Sequence, residues 1–421
     1  MNDGTDFGSA SFPAEIVPLA HDQWDDWYGK FERALGGVPK AAEERALWRD
    51  LTEVDRALAV RSDTEIVGTA GAFSLRMSVP GGALVPTAGV TMVSVQPTHR
   101  RRGLLRAMMS RQLDDIRERG EPLAVLTASE PAIYGRFGYG RGAERLSLAI
   151  DSSRTALTPP EGAERVRLRL VPAHLAHAKC EELYARRVPL RPGMPLRTPG
   201  WDRLPVLDCG TDAATTSPVQ CVTAEHDGEF AGYARYTVRP VWGVDGAEGV
   251  VRVRDIEAST PQAYAVLWRY LLDLDLTSSV VADNRPTDDP VLHLVPDIRR
   301  CGIRLLDSLY VRLVDVGRAL AARTYAGPVD VVLAVEDEFC PWNNGRWHLS
   351  GDAKGAVCTR TDASADLAIL VRDLGAAYLG GTGFGALAAT GRLRELRSGA
   401  LDHAAPAFHS ATAPWQPYVA F

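Results

Sequence analysis

Two hydrophobic periods alternate along the first third of the chain. Residues 22–35 and 41–51 place apolar side chains at three- and four-residue steps and read as amphipathic helices. Residues 57–61 and 65–79 read as strands joined by the turn Ser62-Asp63-Thr64, and Pro80-Gly81-Gly82 breaks the pattern. Residues 90–95, rich in β-branched side chains, predict a third strand that Pro97 ends. Leu105, Met108, Met109, Gln112, Leu113 and Ile116 then mark one face of a long helix that stops at Gly120. A buried strand over 123–126 and a short helix or turn over 133–137 follow. Helices, antiparallel strands, then strand–helix–strand predict a mixed α/β sheet with one parallel crossover.

The pattern then partly repeats. A Ser-, Thr- and Pro-rich stretch over 151–162 reads as a connection between domains. Beyond it Gly228-Glu229-Phe230-Ala231-Gly232-Tyr233-Ala234 echoes Thr64-Glu65-Ile66-Val67-Gly68-Thr69-Ala70. A strand over 251–258, the loop Ser259-Thr260-Pro261, a helix over 265–274 and the strand Val280-Val281-Ala282 continue the echo. The copies lie about 160 residues apart, a domain length, which indicates duplication rather than a solenoid. The second copy lacks the Arg-Arg-Arg-Gly run of the first and reads as a non-catalytic lobe. From about Val311 the character changes again. Strands over 329–339, 346–349 and 356–361, helices over 364–379 and 385–396, and a strand-like tail over 416–421 predict an α+β unit. The expected segments are 1–152, 153–310 and 311–421.

Composition narrows the function classes. The chain has 421 residues, 46% hydrophobic and 24% charged, the profile of a folded globular protein. Its net charge of −6 argues against nucleic acid as a partner. No apolar run approaches the roughly 20 residues that span a bilayer, and residues 1–13 carry no secretion-signal pattern, so a cytoplasmic protein without membrane attachment is expected. The six cysteines and nine histidines show no metal-ligand spacing, and no metal is expected.

The stretch that carries chemistry is Val93-Ser94-Val95-Gln96-Pro97-Thr98-His99-Arg100-Arg101-Arg102-Gly103-Leu104-Leu105. It is a strand, a basic loop and a helix opened by glycine. The first turn of a helix leaves N–H groups unpaired and partly positive, an anion site by construction. Arginines at that point are electrostatically awkward unless an anion is bound. Taken alone, the loop is equally a basic helix start on a solvated surface. The loop resembles the acyl-CoA signature of the GNAT (Gcn5-related) N-acetyltransferases, with Arg100 and Gly103 in place and Leu105 where a small residue is usual. The run 97–108, together with Thr127-Ala128-Ser129-Glu130 and Ile133-Tyr134-Gly135-Arg136-Phe137-Gly138-Tyr139-Gly140, resembles the enhanced intracellular survival (Eis) family. That resemblance implies two tandem GNAT-like lobes, the second degenerate, and a C-terminal sterol-carrier-like α+β domain. It also implies assembly as a homohexamer.

It further implies a site and an activity. Acetyl-CoA is the co-substrate. Val93, Ser94 and Val95 offer backbone groups to its pantetheine arm, Arg101, Arg102, Gly103, Leu104, Leu105 and Arg106 surround its pyrophosphate, and Ser129 and Glu130 line its reactive end. Tyr134 matches the general acid and Phe421 the residue whose free α-carboxylate is the base. Acceptors are primary amines, namely aminoglycosides or lysine side chains of proteins. A cationic acceptor favours an acidic and aromatic pocket, for which Trp24, Asp25, Asp26 and Trp48 are the candidates. Each residue has an ordinary reading too: Tyr134 as core packing, the tryptophans as helix-to-sheet contacts. The apolar tail, 415–421, contains no charged side chain and is expected to dock. The alternative of another class is an inert GNAT scaffold that binds a lipid or other ligand.

Overall fold

The structure, a computed structural model, describes residues 14–207, 215–244 and 246–417. The first lobe contains strands β1 (Ala14–Pro18), β2 (Leu58–Ser62), β3 (Glu65–Ser78), β4 (Leu84–Val95), β5 (Leu123–Thr127) and β6 (Gly140–Arg141). Its helices are α1 (Trp24–Ala34), α2 (Ala42–Leu51), α3 (Leu104–Glu118) and the single turn α4 (Pro131–Tyr134). The second lobe holds β7 (Glu144–Asp151), β8 (Val166–Pro172), β9 (Gln220–His226), β10 (Glu229–Arg239), the hairpin β11 (Trp242–Gly243) and β12 (Gly246–Ala247), β13 (Gly249–Ala258), β14 (Thr277–Arg285) and β15 (Arg304–Asp307). Helices α5 (Ala173–Arg187), α6 (Pro261–Leu272) and α7 (Val291–Leu294) complete it. After β16 (Leu309–Leu313) comes the third unit, with β17 (Val329–Glu336), β18 (Gly345–Asp352), β19 (Gly355–Arg360), β20 (Leu367–Leu370) and β21 (Leu393–Glu395). Its helices are α8 (Val316–Ala321), α9 (Val371–Ala377), α10 (Phe384–Ala389) and α11 (Ala400–Phe408).

The first sheet runs β1-β2-β3-β4-β5-β16-β6 and the second β15-β7-β14-β13-β10-β9-β8. Each contains one parallel crossover, β4 to β5 around α3 and β13 to β14 around α6, so the duplication read from the sequence is visible in the topology. The lobes exchange strands across the expected segment limits. β7, inside 1–152, pairs with β14 and β15 of the second sheet. β16 returns to the first sheet, antiparallel to β5 from Leu309 opposite Thr127 to Leu313 opposite Leu123.

Helix α3 shows why this sequence builds this layer. Met109, Leu113 and Ile116 enter one core with Val90, Ala124 and Leu126, while Met108 packs on Leu58, Val60 and Val67. Gln112, on the same buried face, donates its amide to the Gly71 carbonyl at 2.8 Å. That carbonyl lies at a register shift of the β3–β4 ladder, where Gly71 opposes Thr91 and Thr69 opposes Ser94. A buried polar side chain is tolerated there because it satisfies a backbone group at the irregularity.

The third unit is a five-stranded sheet, β19-β18-β17-β20-β21. Two of its predicted helices begin or end elsewhere. The span 364–379 divides into strand β20 and helix α9, and 385–396 into helix α10 and strand β21, because Leu367, Ile369 and Leu393 are needed in the sheet core. Helix α11, β1 and α5 were not anticipated.

Close backbone contact ties this unit to the first lobe. A Cβ on Gly140 would stand 1.8 Å from the Arg372 carbonyl oxygen in α9. Beside it, fully buried Arg312 donates from Nη2 to the Asp337 carboxylate at 2.6 Å. Asp337 also accepts from the Asn343 amide at 2.9 Å and from the backbone N–H of Cys340 at 3.0 Å. Phe137 meets Phe339 edge-on at 5.0 Å in the same seam. Removing one partner of a buried ion pair strands the other, so Asp337→Ala is expected to cost about 3–5 kcal/mol, read as a lowered urea midpoint. Gly140→Ala should lower the melting temperature and soluble yield, since only displacement of α9 accommodates the methyl.

Candidate active site

Strands β4 and β5 are partnered only from Thr87–Leu123 to Gly89–Val125. Beyond Gly89 they part. Met92, at φ +51°, stands with Val93 opposite Ala70 at the register shift, and the bulge bends β4 away from its neighbour. The gap opens a cleft of about 910 Å³. One wall is Val90, Thr91, Met92, Val93, Ser94 and Val95; the other includes Thr127, Ser129, Glu130 and Tyr134.

The floor of the gap is the start of α3. Gly103 precedes the helix at φ +79°, a conformation that favours glycine, and Arg101 sits at φ +63°. No side chain caps the helix, and no acidic residue occupies its first turn. Its free N–H groups are therefore uncompensated. Arg101 and Arg106 make no ion pair or hydrogen bond among the described residues; Arg106 lies over the Phe339 ring, 5.0 Å from its centroid. Arg100 has another task, donating to the carbonyls of Val95 at 3.3 Å and Ala34 at 3.4 Å and so joining the end of β4 to the end of α1. In the second lobe the equivalent helix α6 is closed. The Thr260 hydroxyl accepts from the Ala263 N–H at 3.2 Å and Pro261 occupies the first turn. A pyrophosphate fits the α3 start and not the α6 start.

Tyr134 lies at the opposite lip, half-buried, with its ring 6.0 Å from that of Tyr139 at 76°. Burial first, then the Glu130 carboxylate, push its phenol up to about 12. Tyr139 is wholly buried behind it, and burial raises its phenol as well. Tyr139 is therefore the core member of the pair and Tyr134 the one that reaches the cleft.

The cleft brings together Val93, Ser94, Val95, Arg101, Gly103, Leu104, Leu105, Arg106, Ser129, Glu130, Tyr134 and Trp48. Arg102 is exposed beside it on the same loop. Phe421 lies outside the described residues. Residues preceding it run back over the second lobe: the Trp415 N–H donates to the Pro192 carbonyl at 2.9 Å and its indole to Asn284 at 3.1 Å. Three acceptor-pocket candidates are not on the cleft wall. Trp24 is buried, stacked 4.6 Å beneath Tyr28, with its indole donating to Thr52 at 2.9 Å. Asp25 is exposed and engaged by Arg45 and Arg49, and Asp26 is exposed on the same turn. The wall uses Tyr28, Phe31, Glu32 and Leu35 instead. Their spacing of three, four and seven residues along α1 is a legible helical stripe, and Leu35 and Val38 are 54% and 66% exposed apolar groups beside it.

Splayed strands over a glycine-opened, arginine-lined helix define a GNAT-type acetyltransferase, and comparison with known proteins agrees. Residues 15–142 and 193–313 each match an Acetyltransferase (GNAT) domain, and 316–417 a Sterol carrier protein domain. The N-acetyltransferase Eis of Mycobacterium tuberculosis is 36% identical over 94% of this chain and 97% of that protein. An uncharacterized N-acetyltransferase of Streptomyces avermitilis is 61% identical over 96% of this chain and 99% of its own length. The crystal structure of Eis1 from Mycobacterium abscessus superposes with a TM-score of 0.81 at 34% identity, covering 96% of this chain and 99% of that one. The chain belongs to the Eis family of GNAT N-acetyltransferases. It is an enzyme with two GNAT lobes and a sterol-carrier-like domain, and GNAT acetyltransferases use acetyl-CoA as donor. No helix among the described residues is long and apolar enough to cross a membrane, and no group of three or more potential metal-binding side chains occurs among them.

Arg101→Ala is expected to raise the Kd for acetyl-CoA about tenfold, the worth of one charge-assisted contact. The difference should shrink with added salt, measured by calorimetric titration at two ionic strengths.

Proposed function

We propose that this enzyme transfers acetyl from acetyl-CoA to a primary amine, with aminoglycosides and lysine side chains as the acceptor class. Tyr134 is its general acid and the α-carboxylate of Phe421 its base. The observation that carries this reading is the placement of Tyr134 and the uncapped, arginine-lined start of α3 on one cleft. Acetyl-CoA, when bound, supplies the thioester. The chain's own residues do the rest. The N–H groups at the start of α3, with Arg101, Arg102 and Arg106 around them, hold the anionic end, and the parted edge of β4 at Val93, Ser94 and Val95 offers backbone groups to the extended arm. Ser129 and Glu130 line the reactive end.

Proton movement needs two groups. An ammonium cannot attack a carbonyl, so a base must take its proton, and the departing thiolate needs an acid. Tyr134 remains protonated across the working range because desolvation and Glu130 both oppose the phenolate. The base is assigned to the terminal carboxylate on the family resemblance; Trp415 and Gln416, shortly before it, are buried. Assembly as a homohexamer belongs to the same reading and is open to light scattering. The inert-scaffold alternative has no supporting observation.

Tyr134→Phe is expected to lower kcat about a hundredfold, the usual worth of a general acid, with acetyl-CoA affinity little changed. In the unmodified enzyme, kcat should show no falling limb centred near the ordinary phenol value of about 10. Such a limb, if lost in Tyr134→Phe, would place the phenol's ionisation lower than burial and Glu130 set it. Extending the chain beyond Phe421 should abolish turnover and spare acetyl-CoA binding; full activity with a C-terminal tag would assign the base elsewhere.

A further inference from the structure

The second lobe grips the chain at three points shortly before its end. At Ala413 the backbone N–H donates to Asp288 Oδ2 at 2.9 Å, and the carbonyl accepts from Arg191 Nη1 at 2.7 Å. Arg191 and Asp288 are themselves paired at 2.6 Å, so one ion pair holds both polar groups of a single backbone residue. At Trp415 the N–H donates to the Pro192 carbonyl at 2.9 Å and the indole N–H to Asn284 Oδ1 at 3.1 Å. The Arg285 guanidinium stands 5.2 Å from the centroid of that indole. The Asn284 amide then donates to the Gln416 carbonyl at 3.0 Å. Pro414, Trp415 and Gln416 are buried. Backbone and side chains close in around them. A Cβ on Gly193 would lie 3.0 Å from the Trp415 carbonyl oxygen, and one on Gly381 would lie 2.7 Å from Pro414. Leu84 of β4 packs in the same cluster as Trp415, so the segment is held where all three units meet.

The gripping residues lie at a particular place in the topology. Asn284 and Asp288 sit at and just after the end of β14, the counterpart of β5. In the first lobe the segment after β5 carries Ser129, Glu130 and, on the single turn α4, Tyr134. In the second lobe the segment after β14 carries the partners of Ala413, Trp415 and Gln416 and leads to the single turn α7. β13 and β14 part as well, being partnered only from Gly249–Thr277 to Arg252–Val281. The second lobe thus keeps the lip of a GNAT cleft and holds this chain's own C-terminal segment with it. We infer that Asn284 and the Arg191–Asp288 pair are positioning residues for acetyl transfer, fixing the point from which the terminal carboxylate is delivered. The inference rests on the proposed role of Phe421 as base. Phe421 is five residues beyond Gln416, at most about 18 Å of chain. So short a tether returns its end to one thioester only while its anchor is fixed. Freed as far back as Ala413, the same carboxylate samples a larger volume at a lower effective concentration.

The test is thiol release from acetyl-CoA by the untagged enzyme, with kanamycin or Nα-acetyl-lysine amide as acceptor, whichever the wild type turns over faster. Asn284→Ala and Asp288→Ala should each lower kcat about tenfold, the worth of the two contacts each removes. The Kd for acetyl-CoA should stay unchanged. Both substitutions should also open the Trp415–Gln416 bond to chymotrypsin, read by intact mass as loss of residues 416–421. Asp288→Asn keeps an acceptor oxygen for the Ala413 N–H and should recover most of the lost kcat. A segment opened to chymotrypsin with kcat unchanged overturns the inference. If a C-terminal extension still abolishes turnover in that case, Phe421 keeps its role as base; if the extension is neutral too, the base reading falls with it. Equal losses of kcat and acetyl-CoA affinity would mark a merely structural role and overturn the positioning one. Should the alanine variants fail to fold, Trp415→Phe decides, since it removes the indole N–H and keeps a ring beside Arg285. There kcat should fall about threefold, and an unchanged kcat overturns the inference.

Discussion

The parting of β4 from β5 after Gly89 is the constraint on which the rest depends. Two parallel strands that stayed paired to their ends would satisfy each other's backbone groups and leave no opening. The bulge at Met92 and Val93 turns β4 aside, and the Gln112 amide and the Thr69 hydroxyl occupy the carbonyls of Gly71 and Met92 that this irregularity frees. The cleft is therefore a feature of the sheet rather than of a mobile loop, and α3 begins at its base because its strand must cross over there. The same topology in the second lobe yields no such site, since Thr260 and Pro261 close the helix that Gly103 and three arginines leave open.

The other lip of the cleft is set by distant parts of the chain. β16, more than a whole lobe later in sequence, fills the place beside β5, and its Arg312 is locked to Asp337 of the third unit. The Gly138 backbone, at φ +82°, passes so close to that guanidinium that a Cβ would lie 2.7 Å from it. This packing fixes the turn that carries Tyr134. The second lobe reaches the acceptor wall as well: Trp201 meets Phe73 at 4.9 Å and Trp48 at 6.3 Å, both edge-on. A lobe without its own anion site still shapes the catalytic one.

The two ends of the cleft differ in how their charges are paired. At the start of α3, Arg101 and Arg106 have no acidic partner among the described residues. On the facing helices, Arg45, Arg49 and Lys40 pair with Asp25, Glu32 and Glu44. Uncompensated charge is costly to fold around unless a ligand completes it, so the two ends announce different partners.

Much of this was legible in the sequence where the cause is local. Helical spacing from Leu105 to Ile116, the glycine and arginines before it, and the run from Ile133 to Gly140 determined the crossover, the uncapped helix start and the turn that carries Tyr134, because periodicity, capping and φ preference act over a few residues. The duplication was legible for the same reason. What only the tertiary structure decided depends on groups far apart in the chain: the exchange of β7 and β16 between sheets, and the division of 364–379 and 385–396 into strand and helix under the pull of a shared core. The acceptor wall falls in the same class. Trp24, Asp25 and Asp26 carried the right chemistry for an amine, yet one turn of α1 further on, Tyr28, Phe31 and Glu32 face the cleft. That Glu32 is paired was decided by Arg45, thirteen residues away and on another helix, because ion pairing follows distance in space and the sequence encodes it only through the fold.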